Sequence, residues 1–225
     1  SPATLQAIEA AAALYASRDM RFNSAVTLDP GEALTAQAVR DLQLGANITT
    51  DGAPVSLSAG RNIESFNTTN IGTNGGAVSL AAQDIEAPHV NIAAAAGAVT
   101  ATASAGSVRL NSITSSGSIN LTSTGGNSID TNNLTSTGPV ALTSIDGPID
   151  TGIIVAGGNT SLDSATYITT YGVSTGGGTF TANAGGGAFN AHGNIDTRAG
   201  GGPTGGAVNI SAMDSYVYYG YGRVN

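Results

Sequence analysis

One spacing constrains this chain more than any other feature. An apolar residue followed by small polar residues returns every 20 to 23 positions. It stands at Leu14, Ala36, Leu57, Leu80, Ala101, Leu121, Leu142, Leu162, Ala182 and Ile210. The steps between these anchors are 22, 21, 23, 21, 20, 21, 20, 20 and 28 residues. The repeat is visible by eye in ALTAQAVRDLQLGANITTDGAPVSLSAGRNIES, residues 33 to 65, where Ala-Val-Arg-Asp-Leu returns as Ala-Gly-Arg-Asn-Ile. A fixed period of this length marks a stack of identical supersecondary units.

Inside each unit the pattern is that of strands. The position two before the anchor is apolar in most units (Val55, Val78, Val99, Ile119, Val140, Phe180 and Val208). Such period-two alternation belongs to a strand with one buried face. A second apolar start follows six to eight residues later, at Met20, Leu42, Ile63, Ile85, Ile129, Ile149 and Ile168, with Ile195 taking this part in the last long unit. A third short segment carries Ile48, Ile71, Leu134, Ile154 or Val173. Gly, Asn, Ser and Asp lie between the segments, as turns require. A unit of three short strands cannot close a core alone and must cover its apolar side against its neighbours. The expectation is an all-β, three-sided parallel β-solenoid of about ten coils, a right-handed β-helix by the crossover preference. At a strand spacing of ~4.8 Å such a rod is on the order of 50 Å long.

The spacing divides the chain. Residues 12–212 read as solenoid repeats. Residues 1–11 read as a partial coil or a capping segment, because AIEAAAALYA has helical propensity while Leu14 to Met20 aligns without a gap to Leu57 to Ile63. The 28-residue step holds AGGGAFNAHG and reads as an inserted loop near 183–206. Residues 213–225 read as a Tyr-rich terminal strand or interface segment.

Units such as GRNI, VSLSAG, GSINLTSTGG and IDT resemble the repeats of filamentous-haemagglutinin-like exoproteins, large bacterial surface adhesins of the two-partner secretion type. The resemblance covers roughly residues 12–212 and lies in repeat style, not in a diagnostic motif. It implies a right-handed β-helical shaft, carried extracellularly on the bacterial surface or secreted, with no family functional residues to transfer. The Asn-Pro-Asn motifs of that family's secretion domain are not visible in this sequence.

Composition narrows the partners. The formal net charge is −8, with seven Arg and no Lys. Phosphate backbones and anionic membrane surfaces both demand a basic stripe, so neither nucleic acid nor a membrane surface is an expected partner. No apolar run approaches the roughly 18 residues of a membrane-spanning helix. With no Cys there is neither a disulfide framework nor thiolate chemistry. The chain begins at Ser1 with no basic region before its Ala-rich stretch, which reads as a processed protein or a piece of a longer one.

Catalytic chemistry has little to stand on. His89 and His192 lie in distant repeats, and no HExxH, GxSxG or phosphate-loop pattern occurs. Asp19, Asp41, Asn62 and Asp84 fall at equivalent positions beside Arg18, Arg40, Arg61 and Gln83. Stacked, these make a charge-laced turn, or a calcium site of hard oxygen ligands that the arginines would oppose. Asp130 and Asp150 form a smaller pair, with Asp146 nearby. Outward Thr rows suggest ice binding but are not held at one position in every coil. A polysaccharide lyase would want sugar-stacking rings, yet Phe66 is the one Phe, Tyr or Trp between residues 23 and 166. No catalytic, cofactor or metal residue is therefore assigned, and no cofactor is expected. A lectin-like groove would fall in the 183–206 insertion.

The carboxyl-terminal stretch departs from the pattern, with Tyr216, Tyr218, Tyr219 and Tyr221 among ten residues. Solenoid ends expose unpaired strands, and Tyr is favoured at interfaces. These four residues are thus candidates for an assembly interface. The expected partners are other copies end to end or flanking coils of a longer chain, with host or neighbouring-cell glycans a further possibility. The expected function is a structural shaft or filament segment without catalysis. Its rivals are a carbohydrate-binding adhesin module, a lyase and an ice binder.

Overall fold

A computed structural model describes residues 11–201 and 204–217. The described chain is a parallel β-solenoid of nine complete turns with a tenth begun. Every pairing between named strands is parallel, and each strand pairs with its equivalent one turn earlier and one turn later. Nine steps at ~4.8 Å make a rod about 43 Å long.

Each turn has three faces. The first carries the anchors. Its strands include Ala12–Ala16, Leu34–Ala38, Val55–Ala59 and Ile119–Ser123. Leu14 pairs with Ala36, Ala36 with Leu57, and so on without a slip to Ile210. All ten anchors thus form one inward ladder. From Ala36 to Ala182 they are buried, while Leu14 and Ile210 pack against the core part-exposed. The strand at Ala12–Ala16 also decides the contest at the amino-terminal side: register overrides helix propensity there. Residues 1–10 lie outside the described residues.

The second face runs Met20, Leu42, Ile63, Ile85, Val108, Ile129, Ile149, Ile168 and Phe189. The third runs Val26, Ile48, Ile71, Ile92, Ile113, Leu134, Ile154, Val173 and Ile195. Two expectations change here. AGGGAFNAHG is not an insertion: Phe180–Ala191 is one strand crossing a corner at Gly185–Gly187, and Phe189 fills the second-face position, fully buried. Ile195 consequently belongs to the third face. The extra residues lie at 198–206, where Arg198 and Gly205 form an isolated antiparallel bridge and Thr197 Oγ1 donates to the Gly206 carbonyl at 2.8 Å. The physical reason is volume. Phe180 and Phe189 sit 5.9 Å apart, ring to ring, and fill the core of a turn that the glycine corner makes tight. The carboxyl-terminal boundary also moves, since the last strand is continuous from Val208 to Val217.

The core is mostly aliphatic, and a row of buried serines serves one corner. Ser123, Ser144 and Ser164 stack in register and point inward. Ser123 Oγ donates to the Gly106 carbonyl at 2.7 Å and Ser164 Oγ to that of Gly147 at 2.9 Å. They satisfy carbonyls that the strand ladders leave over where the chain turns. Close packing between turns accounts for a column of corner glycines. A Cβ on Gly97 would lie 2.1 Å from the Gly76 carbonyl oxygen, a distance no side chain tolerates.

Candidate functional site

The charged turns at the amino-terminal half interlock from coil to coil. Arg40 Nε lies 3.0 Å from Asp19 Oδ1, and Arg61 Nε donates to Asp41 Oδ1 at 3.0 Å with a second contact from its Nη2 to Oδ2. Each arginine therefore reaches back to the aspartate one turn earlier. The Arg61 hydrogen bond holds the Asp41 carboxyl below its ordinary range. These carboxylates are occupied by guanidinium groups, which is the laced turn rather than a cation site. Among the described residues, no group of three or more His, Cys, Asp or Glu side chains converges as a metal site. The row ends at Asp84, whose Oδ1 accepts the Ser107 backbone N–H at 2.7 Å.

The arrangement with more chemical potential lies on the corner between the second and third faces. Asparagine side chains form a chain of hydrogen bonds there. Asn91 Nδ2 donates to Asn70 Oδ1 at 3.0 Å and Asn111 Nδ2 to Asn91 Oδ1 at 2.8 Å; Asn132 Nδ2 then donates to Asn111 Oδ1. Register continues this column through Gly152 to Tyr171 and His192. Tyr171 and His192 stack at 5.0 Å with 26° between their planes. Gly152 thus interrupts the column between an amide ladder and an aromatic stack.

The interruption is an open groove of about 460 Å³, lined by Asp130, Thr131, Asn132, Asn133, Asp150, Gly152, Ile153 and Tyr171. A second hollow of about 290 Å³ shares Ile153 and Tyr171 and extends towards Asn194 and Asp196. The first volume falls in the roughly 300–1,000 Å³ typical of small-molecule sites. Asp130 and Asp150 pair in register on one wall. Burial and the neighbouring Asp130 charge push the Asp150 carboxyl up, with the His192 side opposing. Asp130 has partial neutralisation from Arg109, whose Nε is 3.8 Å away and whose Nη1 also reaches Glu86 at 3.3 Å. Burial pushes Glu86 up more than Arg109 pulls it down.

The groove does not coincide with the stretch that breaks the repeat spacing. It sits at 130–133, 150–153 and 171, not in 183–206. Spacing pairs Asp130 with Asp150, but Tyr171, Asn132 and His192 share no signal in the repeat pattern. The missing clue was the column itself: a glycine that follows a row of four hydrogen-bonded asparagines and precedes two stacked rings. His89 lies on this same corner but two turns before Asn132, exposed between Ala87 and Val90, its backbone N–H donating to Ser65 Oγ at 3.2 Å. Of the tyrosines proposed as an interface, Tyr216 lies in the last strand opposite Asn190. Tyr218, Tyr219 and Tyr221 lie outside the described residues.

The chain matches no family model, no curated protein and no solved structure with which it was compared.

Proposed function

We propose that this chain is a segment of an extracellular shaft or filament on a bacterial surface, of the filamentous-haemagglutinin-like type that its repeats resemble, and that it supports adhesion or matrix without catalysis. One observation carries this reading. A single inward ladder runs from Leu14 to Ile210 without a register slip, so the backbone hydrogen bonds lie along the rod axis through every described turn. Load along the axis is then shared by three parallel ladders, and unfolding one turn requires stripping both its neighbours. Flanking coils of a longer chain, or other copies end to end, extend the same pairing without new chemistry. The net charge of −8 keeps rods apart laterally.

Antibody raised against the purified chain and applied to intact cells of the source organism tests this reading. Surface labelling without permeabilisation is expected. Labelling that appears only after permeabilisation refutes the extracellular shaft. Electron microscopy across a concentration series then separates end-to-end filaments, which lengthen with concentration, from discrete rods of fixed length.

A further inference from the structure

The groove at Gly152 has the dimensions and chemistry of a binding site on the side of the rod. The column Asn132–Gly152–Tyr171 spans two strand spacings, ~9.6 Å from the amide to the ring. Position 152 cannot carry a side chain of its own, because a Cβ on Gly152 would lie 2.2 Å from the Asn132 carbonyl oxygen. The gap is therefore built into the backbone packing. Tyr171 is 59% exposed, and its register neighbours are His192 on one side and Gly152 on the other. One ring face is covered by the imidazole and the other looks across the gap.

The charged groups that face the gap are both acceptors. Asp130 and Asp150 stand side by side on the wall, Asn132 ends a ladder in which each amide nitrogen donates to the previous amide oxygen, and Asn133, whose Oδ1 accepts the Ile153 N–H at 3.3 Å, adds an amide donor at the rim. A ligand that fits offers one face of C–H groups to the ring and several hydroxyl donors to the rim. A ring with its own carboxylate meets two carboxylates and is repelled. Ile153, half exposed at the groove's edge, continues the apolar strip towards the second hollow, so a chain of rings has room to run along the rod.

We propose that this groove binds a neutral polysaccharide, with one hexose ring seated in the Gly152 gap against Tyr171 and its hydroxyls donated to Asp130, Asp150 and Asn132. The site is lateral and does not depend on the shaft reading: a rod that fails to reach a cell surface still carries it.

The test is titration of the whole chain, isotopically labelled, with neutral tetrasaccharides (β-1,4-glucan, α-1,4-glucan and β-1,4-mannan) and with tetragalacturonate. Binding is followed by amide and side-chain NMR shifts. The expected result is saturable binding of at least one neutral oligosaccharide at or below ~1 mM. Shifts should centre on Gly152, Asn132 and Tyr171, and tetragalacturonate should bind at least tenfold more weakly. Tyr171→Ala should lose at least tenfold in affinity with the melting curve unchanged. Asp150→Asn, which removes an acceptor without removing the platform, should lose a smaller factor. Three results overturn the proposal: no saturation by any neutral probe to about 10 mM, shifts centred elsewhere on the rod, or affinity that survives Tyr171→Ala. Preference for the uronate overturns it as well.

Discussion

Replacing Leu121 tests the register of the whole solenoid, because its neighbour Asn120 differs from it by one position and by everything in environment. Leu121 is buried to 1% exposure, between Ala101 and Leu142 in the anchor ladder. Asn120 points outward from the same strand. Truncating a buried leucine costs about 2–5 kcal/mol, depending on how far the surroundings relax into the space. Relaxation is limited here. The turns are held ~4.8 Å apart by backbone hydrogen bonds, and Ala101 on one side is already small, so two successive alanines would leave the void unfilled. Leu121→Ala should therefore fall in the upper half of that range, about 3.5–5 kcal/mol. Leu121→Asp should cost more, because a carboxyl in that position has no partner and must protonate or drag water inward. Asn120→Asp should stay within about 0.5 kcal/mol, as surface changes do. Urea unfolding followed by far-UV circular dichroism measures all three variants. A Leu121→Ala loss below about 1 kcal/mol, far under the range for a buried leucine, refutes the reasoning, as does an Asn120→Asp loss equal to that of Leu121→Asp. Either result would mean the strand presents its other edge inward.

Other perturbations follow from the same packing. Gly97→Ala should destabilise by at least about 2 kcal/mol through a clash with the Gly76 carbonyl, whereas Gly72→Ala, with open space around it, should be near neutral in a thermal melt. Ser123→Ala should cost about 1–3 kcal/mol by orphaning the Gly106 carbonyl, again read by urea unfolding, with Ser164→Ala behaving alike at Gly147. The Arg198 hydrogen bond, aided by the Arg198 backbone N–H, depresses the Asp196 carboxyl to about 2. A carboxylate depressed on folding contributes stability that is complete above its unfolded pKa of ~3.9 and fades as pH falls towards 2. The protection factor of the Gly206 amide, which bonds to the Thr197 carbonyl, should thus fall as the pH drops between those values. In Arg198→Gln the Asp196 titration should move back towards the ordinary carboxylate range.

Period, alternation and face count were legible because a solenoid is nearly one-dimensional: each residue's environment is set by those about 20 positions away, and sequence displays that interval directly. The anchor ladder and most second- and third-face starts, such as Ile63, Ile129 and Ile154, follow from that alone. Where two frames satisfied the pattern equally, the chain text was ambiguous. Ile195 and Phe189 are both apolar at acceptable spacing, and only the buried volume of Phe189 against Phe180 places the extra residues at 198–206. The groove was illegible for a different reason. It is made by what one turn lacks, a side chain at Gly152, together with what the turns before and after supply. A corner that gains or loses a residue also breaks the simple count, as between Ala87 and Asn91, where the pairing shifts register. Sequence by itself determined that this chain must stack into a rod with an aliphatic interior, since no single unit could bury its own apolar side. Tertiary structure alone decided which carboxylate meets which arginine across turns, and where an aromatic ring is left facing an empty place. Those depend on alignment between coils at single-residue resolution, and a repeat with a period that wanders between 20 and 23 residues does not carry that alignment in its spacing.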